Sequence, residues 1–360
     1  MKTGLYVHVP FCIKKCNYCD FNSYSGIFDM QDAYFEKLKN EISTLNYNFE
    51  TVYIGGGTPT AVKNENLCGL LDIIMPETVE NCEITVECNP GTVTLSDLEN
   101  LKRAGVNRLS IGLQTTHEKH LKTLGRIHSL EDFQNCLENA KKAGIENISL
   151  DLMFGLPDQT ILEWEETLRF AVNVGVTHIS AYSLKIEEGT PFYNMKLSLP
   201  DEDLNREMYD LAVKILGEAG FKRYEVSNFA KRGYESRHNL RYWGTESFIG
   251  VGAGAYSCIE GKRFAYIKDI KRYIENTEIE YCDELSEFDL MSEFVFLGLR
   301  LTKGISVSEF EKRFGRDIFE VFGAQLKKHI KMGSLIREND RIFVADEYIY
   351  VSNLILSDFV

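Results

Sequence analysis

Tyr6-Val7-His8-Val9-Pro10-Phe11-Cys12-Ile13-Lys14-Lys15-Cys16-Asn17-Tyr18-Cys19 begins as a β-rich run and ends in a C-x3-C-x2-C triplet. With 9 cysteines in 360 residues, chance supplies about 0.005 such triplets per chain. Accident is therefore a poor explanation. Thiolates spaced this closely suit iron–sulfur or zinc, and three ligands rather than four leave one metal position open to a ligand. The alternative is a zinc-stabilised binding protein with a fourth ligand such as His8, although zinc sites usually pair two C-x2-C or Cys/His hooks. Cys68, Cys82, Cys88, Cys136, Cys258 and Cys282 are scattered and read as packing or surface residues.

Downstream of this loop one design recurs. An amphipathic helix closes on Gly, two or three residues follow, and a β-rich run begins. The four instances are Ala104-Gly105 before Arg108 to Ile111, Ala143-Gly144 before Ile148 to Leu150, Val174-Gly175 before His178 to Ser180, and Ala219-Gly220 before Tyr224 to Val226. Upstream, strands are expected at Leu5 to Val9, Thr51 to Ile54 and Ile84 to Glu87, with helices at Gln31 to Leu45 and Asn66 to Ile74. Strand and helix alternating through short links imply parallel pairing, hence an α/β fold that is a complete or partial (β/α) barrel. A doubly wound open sheet is the structural alternative.

After about Leu285 the order changes to helices at Glu287 to Leu301, Val307 to Phe314 and Phe319 to Met332, then a hairpin from Leu335 to Val351. That order is expected to give a winged-helix-like α+β module. The division is 1–225 for the barrel core, 226–284 for an extension and 285–360 for the module. Composition speaks against nucleic acid as a partner. The formal charge is −14, and the module itself carries ten Lys and Arg against twelve Asp and Glu. No signal-peptide core and no run of about 18 apolar residues is present, so the chain reads as cytoplasmic without a membrane span.

The cysteine loop, following the first strand with Tyr18 directly before the last Cys, resembles the radical S-adenosylmethionine (SAM) superfamily. The resemblance implies a 4Fe-4S cluster on Cys12, Cys16 and Cys19, whose fourth iron takes the amino and carboxylate groups of SAM. In a barrel of this kind the site lies at the C-terminal ends of the strands. Ile54-Gly55-Gly56-Gly57-Thr58-Pro59-Thr60 ends the second strand, and its glycines would let backbone amides approach a carboxylate or amino acid moiety. Glu87 closes the third, where it would accept hydrogen bonds from ribose hydroxyls. Gln114 ends the fourth, Arg126 follows as a two-donor clamp, and Asp151 is an acid in an apolar strand that needs a partner if buried.

Tyr6 to Cys12, Gly55 to Thr60, Arg108 to Gln114, Leu124 to His128 and Asp151 to Pro157 together resemble the oxygen-independent coproporphyrinogen III oxidase family. Glu187-Glu188-Gly189-Thr190-Pro191, Tyr224 to Phe229, His238-Asn239-Leu240-Arg241-Tyr242-Trp243 and Gly250 to Ala255 fit its HemW-type branch of heme chaperones. The dehydrogenases of the family have a longer N-terminus and a further Cys two residues beyond the cluster's last one, where this chain has Phe21. The resemblance implies Tyr6, Gly56, Gly57, Thr58, Glu87, Gln114, Arg126 and Asp151 around SAM, His238 as heme ligand, and heme as cargo. It also implies heme-accepting membrane respiratory proteins and an electron donor such as flavodoxin or ferredoxin as partners. Coproporphyrinogen III dehydrogenation is the alternative activity.

Overall fold

Arg108-Leu109-Ser110-Ile111-Gly112-Leu113-Gln114 shows how the strands are built: polar and apolar side chains alternate, although every residue is buried. Successive strand residues face opposite sides, so both faces are covered, one by apolar helices and the other by polar neighbours. The computed structural model, which describes residues 2–360, shows this in six strands that lie side by side in chain order. They are β1 (Lys2–Val9), β2 (Asn48–Gly56), β3 (Thr78–Cys88), β4 (Arg108–Gln114), β5 (Asn147–Phe154) and β6 (His178–Ser183), each parallel to the next. Leu5, Val52, Val86, Leu109, Leu150 and Ile179 share one apolar core with the buried stripes of helices α1 (Gln31–Ser43), α2 (Asn64–Ile74), α3 (Leu95–Arg103), α5 (Leu130–Lys142) and α6 (Ile161–Asn173), whereas α4 (Glu118–Leu124) buries Leu124 in a smaller cluster with Met153, Leu156 and Phe192. The opposite face carries Tyr53, Glu87, Ser110, Asp151, Ser180 and Tyr182, which meet around one cavity.

Helix starts follow local chemistry. Thr94 with Asp97, Ser129 with Asp132 and Thr160 with Glu163 form reciprocal capping boxes at α3, α5 and α6, each worth about 1 kcal/mol in cap stability. The sheet differs from the expected barrel at both edges. Tyr224 and Glu225 are not a strand. They sit between β7 (Lys222–Arg223) and β8 (Asn228–Ala230), because the Glu225 carboxylate accepts from Ser227 N at 3.0 Å and turns the chain. β8 therefore runs antiparallel to β6. On the far side β9 (Phe248–Val251), inside the glycine-rich segment, pairs parallel with β1. β10 (Tyr256–Ile259), β11 (Lys262–Tyr266) and β12 (Ile279–Glu284) continue outward as an antiparallel meander. The sheet order is linear, so the barrel is partial, with seven parallel strands.

Helix α7 (Arg237–Trp243) closes the end away from the cysteine loop. His238 is 1% exposed. Its Nδ1 lies 2.8 Å from Thr51 Oγ1, its Nε2 lies 2.8 Å from the Tyr242 hydroxyl, and its backbone N–H donates to Glu83 at 3.0 Å. The ring stacks on Tyr53 with centroids 5.3 Å apart. Burial, aided by the Arg241 charge, pushes its pKa down to about 3, so the imidazole is neutral. Replacing His238 with Ala strands two hydroxyls and empties a stacked site, and is expected to cost about 2–4 kcal/mol. Urea denaturation checks this, and a loss below about 1 kcal/mol would contradict the floor role.

The C-terminal module packs a helix at Glu287–Gly298 against a three-stranded sheet of Ile305–Ser306, Arg341–Val344 and Leu335–Glu338. The helix expected over Phe319 to Met332 is broken into Ile318–Val321 and Gly323–Met332. Phe322, at φ −115°, leaves the helical course to pack on Phe310 and Phe359. The expected hairpin ends at Val344, and Asp346–Val351 forms a 3-10 turn that buries Ile349. No described helix is long and apolar enough to cross a membrane.

Candidate cofactor site

The cysteine loop is anchored before it meets any ligand. Residues Phe11–Cys12 pair with Tyr24–Ser25 at its base. At its apex Asn17 donates to Leu124 O and Thr123 O, both at 2.9 Å, and accepts from Phe192 N at 2.9 Å. Asn22 ties the return leg to Ala253 O at 2.8 Å. All three sulfurs are free thiols, Cys12 buried and Cys16 and Cys19 half-buried, and all three residues line one cavity of about 310 Å³. Burial pushes the Cys12 and Cys19 thiols up; a coordinating metal removes such a proton outright. Among the described residues no three His, Cys, Asp or Glu side chains converge on a single ion. A cluster asks less, since each thiolate meets its own iron. His8, the fourth ligand considered for zinc, has both ring nitrogens engaged, by the Tyr6 hydroxyl at 2.9 Å and by Asn22 O at 2.7 Å.

The glycine turn after β2 lies directly on this loop. Gly56 has φ +116°, and a Cβ there would sit 2.6 Å from the His8 ring. A Cβ on Gly57 would sit 2.7 Å from Phe11 O and 3.0 Å from Cys12 Sγ. The amides expected to face a ligand are used internally. Gly56 N donates to Glu87 Oε2 at 3.0 Å, Gly57 N to Val9 O at 2.9 Å and Thr58 N to Phe11 O at 2.8 Å. The glycines therefore serve close packing of turn on loop, which brings Thr58 Oγ1 to 3.6 Å from Cys12 Sγ.

Glu87 opens onto the cavity and accepts from Tyr53 at 2.9 Å as well as from Gly56. Burial pushes its carboxyl up to about 7, against the two hydrogen bonds and with the Asp151 charge adding to the rise. Asp151 accepts from Ser110 at 3.2 Å, and burial pushes it up too. Arg126 donates to Asn89 Oδ1 at 2.8 Å and to the Tyr18 hydroxyl at 3.0 Å, while Asn89 donates to Thr58 Oγ1 at 2.9 Å. This chain of bonds ties the ends of β2 and β3 and the turn after α4 to the aromatic residue of the loop. Gln114 stands at φ +68°, a left-handed backbone that costs a non-glycine residue about 1–2 kcal/mol.

Cys12, Cys16, Cys19, Gly56, Gly57, Thr58, Glu87, Gln114, Arg126 and Asp151 thus share one cavity. Tyr6 lies beneath the turn, outside the cavity lining, and holds His8. His238 is not brought there; it belongs to the opposite end. Sequence reasoning did not single out Tyr53, Asn89, Arg108, Ser110 or Ser180, which also line the cavity.

A family model for the Radical SAM superfamily matches residues 6–171, and one for the HemN C-terminal domain matches residues 285–347. The heme chaperone HemW of Bacillus subtilis (strain 168) is 37% identical over 372 aligned positions, covering 99% of this chain and 98% of that one. The chain belongs to the HemW family of radical SAM proteins. The heme chaperone HemW of Escherichia coli (strain K12) is 36% identical, with 82% of each chain covered. A zebrafish (Danio rerio) relative of the family, radical S-adenosyl methionine domain-containing protein 1, mitochondrial, is 33% identical over 85% of this chain and 76% of its own. In three dimensions the fold matches coproporphyrinogen III oxidase (HemN) from Escherichia coli, with a TM-score of 0.88, 22% identity, and coverage of 99% of this chain and 89% of that one. The HemW-type chain therefore shares the HemN fold from barrel to C-terminal module.

Proposed function

We propose that this chain is a heme chaperone of the HemW type, binding a 4Fe-4S cluster through Cys12, Cys16 and Cys19 and SAM in the cavity beneath them. The observation that carries the cofactor reading is the convergence of three thiols, the glycine turn, Glu87, Gln114, Arg126 and Asp151 on one space. When bound there, a cluster with an open iron would supply the one-electron chemistry that cleaves the SAM sulfonium. The residues of the chain do the rest of the work. Glu87, fixed by Tyr53 and Gly56, accepts from ribose hydroxyls. The Arg126 and Asn89 bonds hold Tyr18 and Thr58 against the cluster loop. Gln114, held left-handed, presents its amide to the nucleotide.

The heme reading comes from the HemW relatives. Heme is the cargo, membrane respiratory proteins are its acceptors, a flavodoxin or ferredoxin is the electron donor, and the protein works in the cytoplasm. His238 reaches heme iron only if α7 leaves the barrel floor, since both its nitrogens are occupied. Phe21, 61% exposed beside the cluster loop, stands where the dehydrogenases carry their additional cysteine, which ranks porphyrinogen oxidation second.

The test is anaerobic reconstitution followed by hemin titration, SAM cleavage and coproporphyrinogen III turnover on one preparation. Iron and sulfide at cluster stoichiometry, one heme per chain and negligible protoporphyrinogen are expected. Robust protoporphyrinogen formation would reverse the assignment, and zinc without sulfide would refute the cluster.

A further inference from the structure

Arg108 opens β4 with its side chain on the inner face and is 2% exposed, yet it lines the cavity. Its Nε has no hydrogen-bond partner. Among the described residues no carboxylate comes within the 4.0 Å of an ion pair. A guanidinium does not shed its proton in proteins, so the charge stays and a partner is missing. Buried charges are normally paired, and a buried polar group without a partner calls for an explanation.

The surroundings say what would satisfy it. Glu87 and Asp151 are the acids that feel its charge, but each is already committed, Glu87 to Tyr53 and Gly56 and Asp151 to Ser110. Below it, His178 is closed off by Ser149 at 2.7 Å and Tyr224 at 2.8 Å. The open side is the cavity alone. Gln114 lies six positions beyond Arg108, about 20 Å along the strand, so the Arg108 side chain serves the inner part of the barrel, away from the cysteine loop.

We infer that Arg108 is the anchor of a second ligand subsite, deeper in the barrel than the nucleotide, which takes the carboxylate of a small molecule. A carboxylate matches the planar guanidinium fork with two parallel hydrogen bonds. A phosphate, carrying more negative charge, would meet repulsion from the two neighbouring acids. The inference uses the proposed SAM site only to place the nucleotide in the outer part of the cavity.

The probe is propionate, with propionamide as its uncharged counterpart, added to the reconstituted chain with saturating SAM and followed by saturation-transfer NMR. A saturable propionate signal is expected, with none from propionamide. Arg108→Met should weaken propionate about tenfold or more, the loss of a charge-assisted hydrogen bond, while SAM affinity stays within about threefold. Arg108→Lys, which keeps the charge without the fork, should fall between. Because the wild-type charge is unpaired, Arg108→Met should melt no lower than the parent, whereas a structural ion-pair residue would melt lower. The inference is overturned by no saturable propionate signal, by equal binding of propionamide, by a lowered melting point in Arg108→Met, or by propionate binding unchanged in that variant. A variant that loses SAM affinity but keeps affinity for decarboxylated SAM would show that the carboxylate is SAM's own, which also overturns it. Propionate binding without SAM binding would leave the subsite standing and remove the cofactor reading instead.

Discussion

Alanine at Cys12, Cys16 or Cys19 is expected to leave the anaerobically reconstituted chain without a stable cluster, with iron and sulfide reduced to background, while the fold persists. Each of the three thiolates would hold one iron of the cluster, and removing one of them leaves two anchors. The loop itself is held by bonds that do not involve sulfur: Asn17 to Thr123 and Leu124, Phe192 to Asn17, Asn22 to Ala253. Far-UV circular dichroism should therefore be unchanged, and cluster loss will not reflect unfolding. Cys282→Ala is the control, because Cys282 is exposed on β12, far along the meander from the loop. Iron and sulfide analysis with electron paramagnetic resonance of the reduced sample decides the matter. Full cluster content in any of the three loop variants, or loss in Cys282→Ala, would remove the ligand assignment. SAM binding should fall with the cluster, because on the proposed reading the open iron would be one of its contacts.

The barrel was legible in the sequence wherever a helix closed on Gly before a β-rich run, since the left-handed stop and the short link are local chemistry. It failed where pairing depends on distant partners. β9 is four residues long within a glycine-rich stretch, and its pairing with the distant β1 holds it as a strand. Tyr224 and Glu225 have strand-like neighbours, but the Glu225 bond to Ser227 turns them. Site residues at strand ends could be read because polar residues after an apolar run look out of place. Arg108, Ser110 and Asn89 escaped notice for the opposite reason. An isolated polar residue in a short strand resembles a solvated edge until the inner face of the barrel is known to be polar. The signal lay in the alternation of Arg108 to Gln114, a seven-residue run in which the polar members share one face. His238 shows the converse: its block marked the family, but only the bonds to Thr51 and Tyr242 place it under the barrel.

Glu87→Gln is expected to abolish two pH dependences at once. In the wild-type chain the carboxyl titrates near 7 rather than at its ordinary 4.5. An acid whose pKa is raised by folding keeps a proton that the unfolded chain has released, so stability falls as pH rises between the two values. Below about 4.5 there is no penalty, and above about 7 it is complete. A shift of this size corresponds to up to about 3 kcal/mol, reduced by whatever water the cavity admits to the carboxylate. Between pH 5 and 8 the wild-type chain should therefore lose stability relative to Glu87→Gln, by urea denaturation at each pH. SAM affinity should move the other way. The ionised carboxylate offers acceptors to ribose hydroxyls on both oxygens, so wild-type affinity should climb as pH passes 7, provided the cluster is loaded. The Gln amide has one acceptor and should bind SAM about 10- to 100-fold more weakly at pH 8, with little change from pH 6 to 8. Calorimetric titration of SAM at pH 6, 7 and 8 separates the cases. Parallel pH slopes in the two proteins would mean that Glu87 neither titrates in this range nor meets the nucleotide, and the ribose contact would have to be sought elsewhere in the cavity.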